Sequence, residues 1–104
     1  MAAYFIVRAE VTDPADRQPF DRWYAEEHLR QALAAFRASR AWRGWSDADP
    51  SIHYAFYEFA DLAAARAIVQ SETLKRLIAE FDRAWGARVK RTRDVVEIAQ
   101  APSP

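Results

Sequence analysis

Residues Tyr4 to Val11 alternate with a period of two, and both alternating sets carry apolar groups. Phe5, Val7, Ala9 and Val11 form one set; Tyr4, Ile6, Arg8 and Glu10 form the other. Successive side chains of a strand point to opposite faces. A sheet built on this strand therefore has one wholly apolar face and a second of mixed character, and the first must be covered. With 104 residues the chain has room for one domain, so the cover has to come from a few helices nearby in sequence.

Thr12-Asp13-Pro14 ends the strand and starts a helix, with Thr12 or Asp13 as the cap and Pro14 suited to a first helical position. A helical region follows to about Ala38. Two stripes run along it at helical spacing: Phe20, Trp23, Tyr24, Glu27 and His28, then Leu29, Ala32, Leu33 and Phe36. The second stripe is rotated by roughly 150° from the first, so one straight helix cannot bury both against one sheet. A break or kink is expected near His28–Arg30. Arg40 to Ser46 reads as a strand, Asp47 to Pro50 as a turn and Ser51 to Phe59 as a strand, together a β-hairpin. Asp61 caps a helix through Val69. Ser71 caps another, in which Leu74, Leu77, Ile78, Phe81 and Trp85 give the clearest helical periodicity of the chain, with Gly86 near its end. Thr92 to Ile98 is the last strand.

The order strand–helix–strand–strand–helix–strand is the ferredoxin-like α+β plan, βαββαβ with a four-stranded antiparallel sheet. One such domain spans residues 1–100, and residues 101–104 form a loose tail with two prolines. The helices cover one face. The other is expected to carry Tyr4, Ile6, Tyr54, Phe56 and Val95, together with Arg8, Arg91, Arg93, Glu10, Glu58 and Glu97. That face is too apolar to stay wet, and a second copy with its charges in opposition is the expected cover, making a homodimer.

Composition narrows the chemistry. Lys+Arg and Asp+Glu number 15 each, which argues against nucleic acid as a partner, and the run Arg88, Lys90, Arg91, Arg93 reads as a solvated strand entrance. With no Cys, thiolate catalysis and Cys-ligated metals are excluded. The two His stand far apart without a metal-ligand spacing, and no Gly-rich phosphate loop or dinucleotide fingerprint occurs, so no metal and no cofactor is expected. One axial His would suffice for haem, yet no other residue points to it. No apolar run approaches the roughly 20 residues of a membrane span, and Arg8 and Glu10 come too early for a signal peptide, so a cytoplasmic protein without a membrane partner is expected.

His28 is the first candidate for chemistry, as an acid/base one helical turn from Tyr24; the other reading is that it ends the helix by bonding a freed carbonyl. His53, Ala55, Tyr57 and Phe59 share one face of their strand. If it looks toward the helices, Tyr57 supplies a phenol to the same pocket, or else packs in the core. His53 either lines that pocket or, the preferred reading, sits at the strand mouth on the surface. Glu27 either orients His28 or binds a cationic group, or is an exposed carboxylate paired with a base such as Arg30. Trp23 is a candidate pocket wall; Trp85 reads as core; Trp42 and Trp45 lie on opposite faces of one strand, so at most one meets the cleft.

The stretch Phe20-Asp-Arg-Trp23-Tyr24-Ala-Glu26-Glu27-His28-Leu29 resembles the helix-one signature of the dimeric α/β-barrel superfamily, nearest to its EthD-like and related uncharacterised branches. Ala55-Phe56-Tyr57-Glu58-Phe59 is similar to that superfamily's third strand. The chain departs from the pattern at Arg30, where Pro is common, and at Ala35-Phe36-Arg37-Ala38, where Pro-Gly is common, so the loop into the second strand is expected to differ. The resemblance implies a homodimer and a range of chemistry: cofactor-independent monooxygenases, isomerases, cyclases and haem-modifying enzymes. The function it implies is a cofactor-independent enzyme acting on a small aromatic or polyketide-like compound. His28 and Tyr57 would then be catalytic, and Trp23, Tyr24, Glu27 and His53 would bind the ligand. The alternative is a non-catalytic ligand-binding or structural homodimer.

Overall fold

Alternating burial runs without a gap through Ala3–Val11, which forms strand β1 and buries Ala3, Phe5, Val7, Ala9 and Val11 on one face. The structure, a computed structural model, describes residues 1–104. After β1 come helix α1 (Pro14–Trp23), a single π turn (Tyr24–His28), helix α2 (Leu29–Phe36), β2 (Arg40–Trp45), β3 (Ile52–Phe59), α3 (Leu62–Val69), α4 (Glu72–Ala84), a short 3-10 turn (Gly86–Arg88) and β4 (Val89–Glu97). The strands form one antiparallel sheet in the order β2-β3-β1-β4, which is the ferredoxin-like topology.

Helices α1, α3 and α4 each start where a side chain satisfies a free backbone N–H. Asp13 accepts from Ala15 N–H at 2.9 Å, Asp61 from Ala64 N–H at 2.8 Å, and Ser71 from Leu74 N–H at 3.1 Å. Helix α2 stops at Phe36, two residues before the sequence-based limit. Arg37 there adopts φ 53°, and Ala38 N–H donates back to the Leu33 carbonyl while Arg37 N–H donates to Ala34. This is the left-handed C-terminal turn that usually takes Gly. All four helices lie on the face of the sheet that carries Phe5, and Leu74, Leu77 and Phe81 of α4 complete the core there.

The other face is an aromatic ladder. Trp42 stacks on Phe56 at 5.7 Å between ring centroids, Tyr54 on Phe56 at 6.1 Å, and Tyr4 meets Trp42 edge-on at 5.6 Å. Ile6 lies opposite Phe56 and belongs to the same face. Glu58 accepts from the Tyr4 hydroxyl and pairs with Arg40, which keeps the rim of this face polar.

Strand β4 corrects the sequence reading. It begins at Val89 rather than Thr92, and its pairing sets Val95 opposite Phe5, Arg93 opposite Val7 and Arg91 opposite Ala9. Val95, Arg91, Arg93 and Glu97 therefore share the helix-covered side, and Val96, Asp94, Thr92 and Lys90 belong to the open face. The phase is fixed by register, since a slip of one residue exchanges every side chain between faces. Nor is the basic run a uniform solvated entrance. Arg88 bridges Asp16 and the Ala84 carbonyl, while Arg91 and Arg93 turn toward the cleft.

Candidate functional site

The π turn decides where the site lies. Leu29 N–H bonds to the Tyr24 carbonyl, five residues back. Phe20, Tyr24, His28, Ala32 and Phe36 are all buried, one every fourth residue. In an uninterrupted α-helix four such steps drift by about 160° around the axis. The wider turn rotates less per residue and takes back part of that drift, so both stripes reach the same sheet. The break expected near His28–Arg30 is this turn, and it leaves His28 facing inward.

His28 is only 6% exposed. Its ring lies parallel to Trp23 with 4.3 Å between centroids, and Tyr24 and Phe81 meet it edge-on. Its Nδ1 has no hydrogen-bond partner. Burial, with the nearby charge of Arg91 as a second cause, pushes its pKa down to about 4. His28 is thus a neutral imidazole, buried among aromatic rings. Tyr24 and Tyr57 are each 1% exposed and interact with one another, and burial raises both phenols above their ordinary range, so both stay protonated.

These three side chains line one half-open cavity of about 30 Å³. Phe5 and Val7 of β1 form its floor beside Tyr57, and Leu74, Leu77 and Ile78 of α4 form its roof. Arg91 and Arg93 line it from β4, at the sheet edge. The Arg91 guanidinium lies 3.8 Å over the Phe81 ring and bonds to Asp82. Arg93 has no carboxylate partner within the fold. The cavity as it stands accepts about one water or one small polar group; a larger ligand has to displace side chains at its mouth.

The remaining sequence candidates lie around this cavity, not in it. Trp23 backs His28 and borders an outer groove between α1, α2 and α4. Glu27 is exposed and faces that groove with Gln31, Glu80 and Arg83. His53 is fully buried, against the surface position favoured from sequence, because Phe20 and Tyr24 pack over it with centroids at 5.2 and 4.5 Å. It joins a second polar cluster. Arg43 Nη1 donates to Asp21 at 2.7 Å and sits 3.4 Å from His53 Nε2, and Trp45 Nε1 donates to the same Asp21 oxygen at 2.8 Å. Both bonds lower the Asp21 pKa, while burial pushes His53 to about 4. Trp45 lies on the helix side and Trp42 on the open face, as their alternation requires.

Sequence reasoning missed Arg91, Arg93 and the pair Asp21–Arg43. For the two β4 arginines the signal was available: Val89, Arg91, Arg93 and Val95 alternate, and the two valines mark an inward face. Nowhere in the chain do three His, Cys, Asp or Glu side chains converge as a metal site would require, and no helix is long and apolar enough to cross a membrane.

No family model matches the sequence, and no curated protein does. Solved structures do match. SnoaB, a cofactor-independent oxygenase from Streptomyces nogalater, superposes in a mutant form with a TM-score of 0.65 at 16% identity, covering 96% of this chain and 95% of that one. An EthD family protein from Bacillus halodurans gives 0.71 at 14% identity over 94% and 99% of the two chains. An antibiotic biosynthesis monooxygenase gives 0.60 at 16% identity over 95% and 99%. At these identities the likeness establishes the fold alone: the chain has the same ferredoxin-like architecture as these proteins.

Proposed function

We propose that the cleft between α4, the π turn and the sheet is a ligand site, and that the protein is a cofactor-independent enzyme acting on a small aromatic or polyketide-like compound. The observation that carries this is the convergence of His28, Tyr24 and Tyr57 on one cavity beside two arginines. Proton abstraction is the step these groups support, and it is common to monooxygenase, isomerase and cyclase chemistry. His28, neutral in the empty site, takes a proton from the ligand. The anion so formed lies among Arg91, Arg93 and the two phenols, which stabilise it as hydrogen-bond donors and fixed charges. The same anion supports the imidazolium, which burial alone disfavours. SnoaB shows that this fold hosts oxygenation without a cofactor.

The small volume of the empty cavity favours a second reading, a binding protein without turnover. Purified protein incubated in air with anthrone- and naphthol-type phenols, with products followed by mass, separates the two. Turnover lost in His28→Ala with the fold intact supports the enzyme. Saturable binding with no product from any compound leaves the binding protein.

The open face of the sheet is the proposed dimer interface. Tyr4, Trp42, Tyr54 and Phe56 form a continuous apolar strip there, and a second copy would bury it at roughly 25 cal/mol per Å² before the cost of association. Light scattering that gives twice the chain mass supports this assembly.

A further inference from the structure

The geometry points to Arg93, seconded by Arg91, as the group that selects the ligand: the cleft takes an acid, whose carboxylate or phenolate oxygen docks between Arg93 and the His28 ring. This rests on the reading of the cavity as the ligand site and goes beyond it by naming the ligand's charge. Three independent observations support it.

The first is the imbalance of charge. Arg91 and Arg93 lie on the same side of β4, two residues apart, and line the same cavity. Only Arg91 has a counter-ion, Asp82, and that carboxylate is half exposed. Arg93 is exposed where it borders the cavity and has no carboxylate partner, so its guanidinium is free to meet an incoming anion. Arg43, outside the cavity, is by contrast paired with Asp21. The second is His28. Its Nδ1 has no partner within the fold; His53 Nδ1 and Trp85 Nε1 share that state, and of the three residues only His28 lines the cavity. The third is size. A cavity of about 30 Å³ matches the head of an acid and not a ring, so the planar body of the ligand lies at the mouth, against the apolar side of α4. Arg suits this task, because its planar fork bonds an oxyanion through two N–H groups.

The test uses benzoate and 4-nitrophenolate as acid probes and benzamide as the neutral isostere of benzoate. Binding is followed at the His28 ring by NMR in the full-length protein, in Arg93→Gln and in Arg93→Lys. Arg93 makes no ion pair, so both variants are expected to keep the fold, and circular dichroism checks this. The proposal requires that an acid probe perturb His28, that Arg93→Gln weaken it by about tenfold or more, and that Arg93→Lys recover most of the loss. The benzoate arm distinguishes a carboxylate site from a phenolate site. Benzamide binding as tightly as benzoate, with no effect of Arg93→Gln, overturns the charge selection and leaves the ligand site standing. Silence of all three probes at His28 overturns the site reading and the role of Arg93 with it.

Discussion

Replacing His28 by Phe should stabilise the protein, because the residue is badly placed for stability. Its ring fits the aromatic sandwich between Trp23 and Phe81, which Phe retains. Its Nδ1, however, is buried without a partner, and such an atom costs about 1–3 kcal/mol. A water in the cavity would satisfy part of this, which sets the low end. Phe is slightly larger, and the adjoining cavity of about 30 Å³ takes up the difference, so overpacking offsets about 1 kcal/mol at most. The net gain near neutral pH is about 1 kcal/mol. The gain should grow in acid. The folded pKa of His28 is lowered from 6.5 to about 4, so the unfolded chain takes the proton first and wild-type stability falls as pH drops through that window. By about pH 5 this adds about 2 kcal/mol to the advantage of His28→Phe. Urea unfolding at fixed protein concentration, near neutral pH and near pH 5, measures both. A variant less stable than wild type at neutral pH, or an advantage that does not widen in acid, would refute the reasoning and make His28 a structural residue.

Three further outcomes follow from the geometry. Wild-type stability should fall between pH 6.5 and about 4, since His28 and His53 are both buried neutral, with about 3 kcal/mol at stake for each; a flat acid limb in urea midpoints would contradict the burial of both rings. Arg37→Gly should raise stability by about 1 kcal/mol by relieving the left-handed backbone at φ 53°, and a loss would show that the Arg side chain matters more than its conformation. Trp42→Glu puts a charge into the aromatic strip of the open face, and should convert a dimer to a folded monomer by light scattering; a wild-type monomer at micromolar concentration would remove the interface altogether.

How far the sequence could be read depends on contrast between neighbouring positions. Strand β1 and helix α4 were legible because apolar and polar residues alternate there at one period only, and Asp61 and Ser71 mark their helices by a side chain that caps the backbone. The π turn was legible as a conflict of two stripes, although not as a particular hydrogen-bond pattern. Strand β4 was misread because Val95 and Val96 are adjacent and equally apolar, so composition gives no phase, and because arginines suggest solvent. Only pairing of Val95 with Phe5 decides it. His53 was misread for a related reason. Its alternation with Ala55, Tyr57 and Phe59 placed it inward, but the rings that cover it, Phe20 and Tyr24, come from another element. Of the site, His28, Tyr24 and Tyr57 were found from spacing and resemblance; Arg91 and Arg93 needed the register.

The most direct measurement is the pH titration of the two histidine rings by nitrogen-15 NMR, with and without an acid ligand. Without ligand, His28 should remain neutral down to about pH 4, since burial and Arg91 both oppose its charge. With an anion seated beside it, its pKa should rise. His53 lies in the separate Asp21–Arg43–Trp45 cluster and should change far less. A His28 that titrates near 6.5 in the free protein, and does not respond to any acid, would contradict both the buried geometry and the assignment of this cleft as the working site.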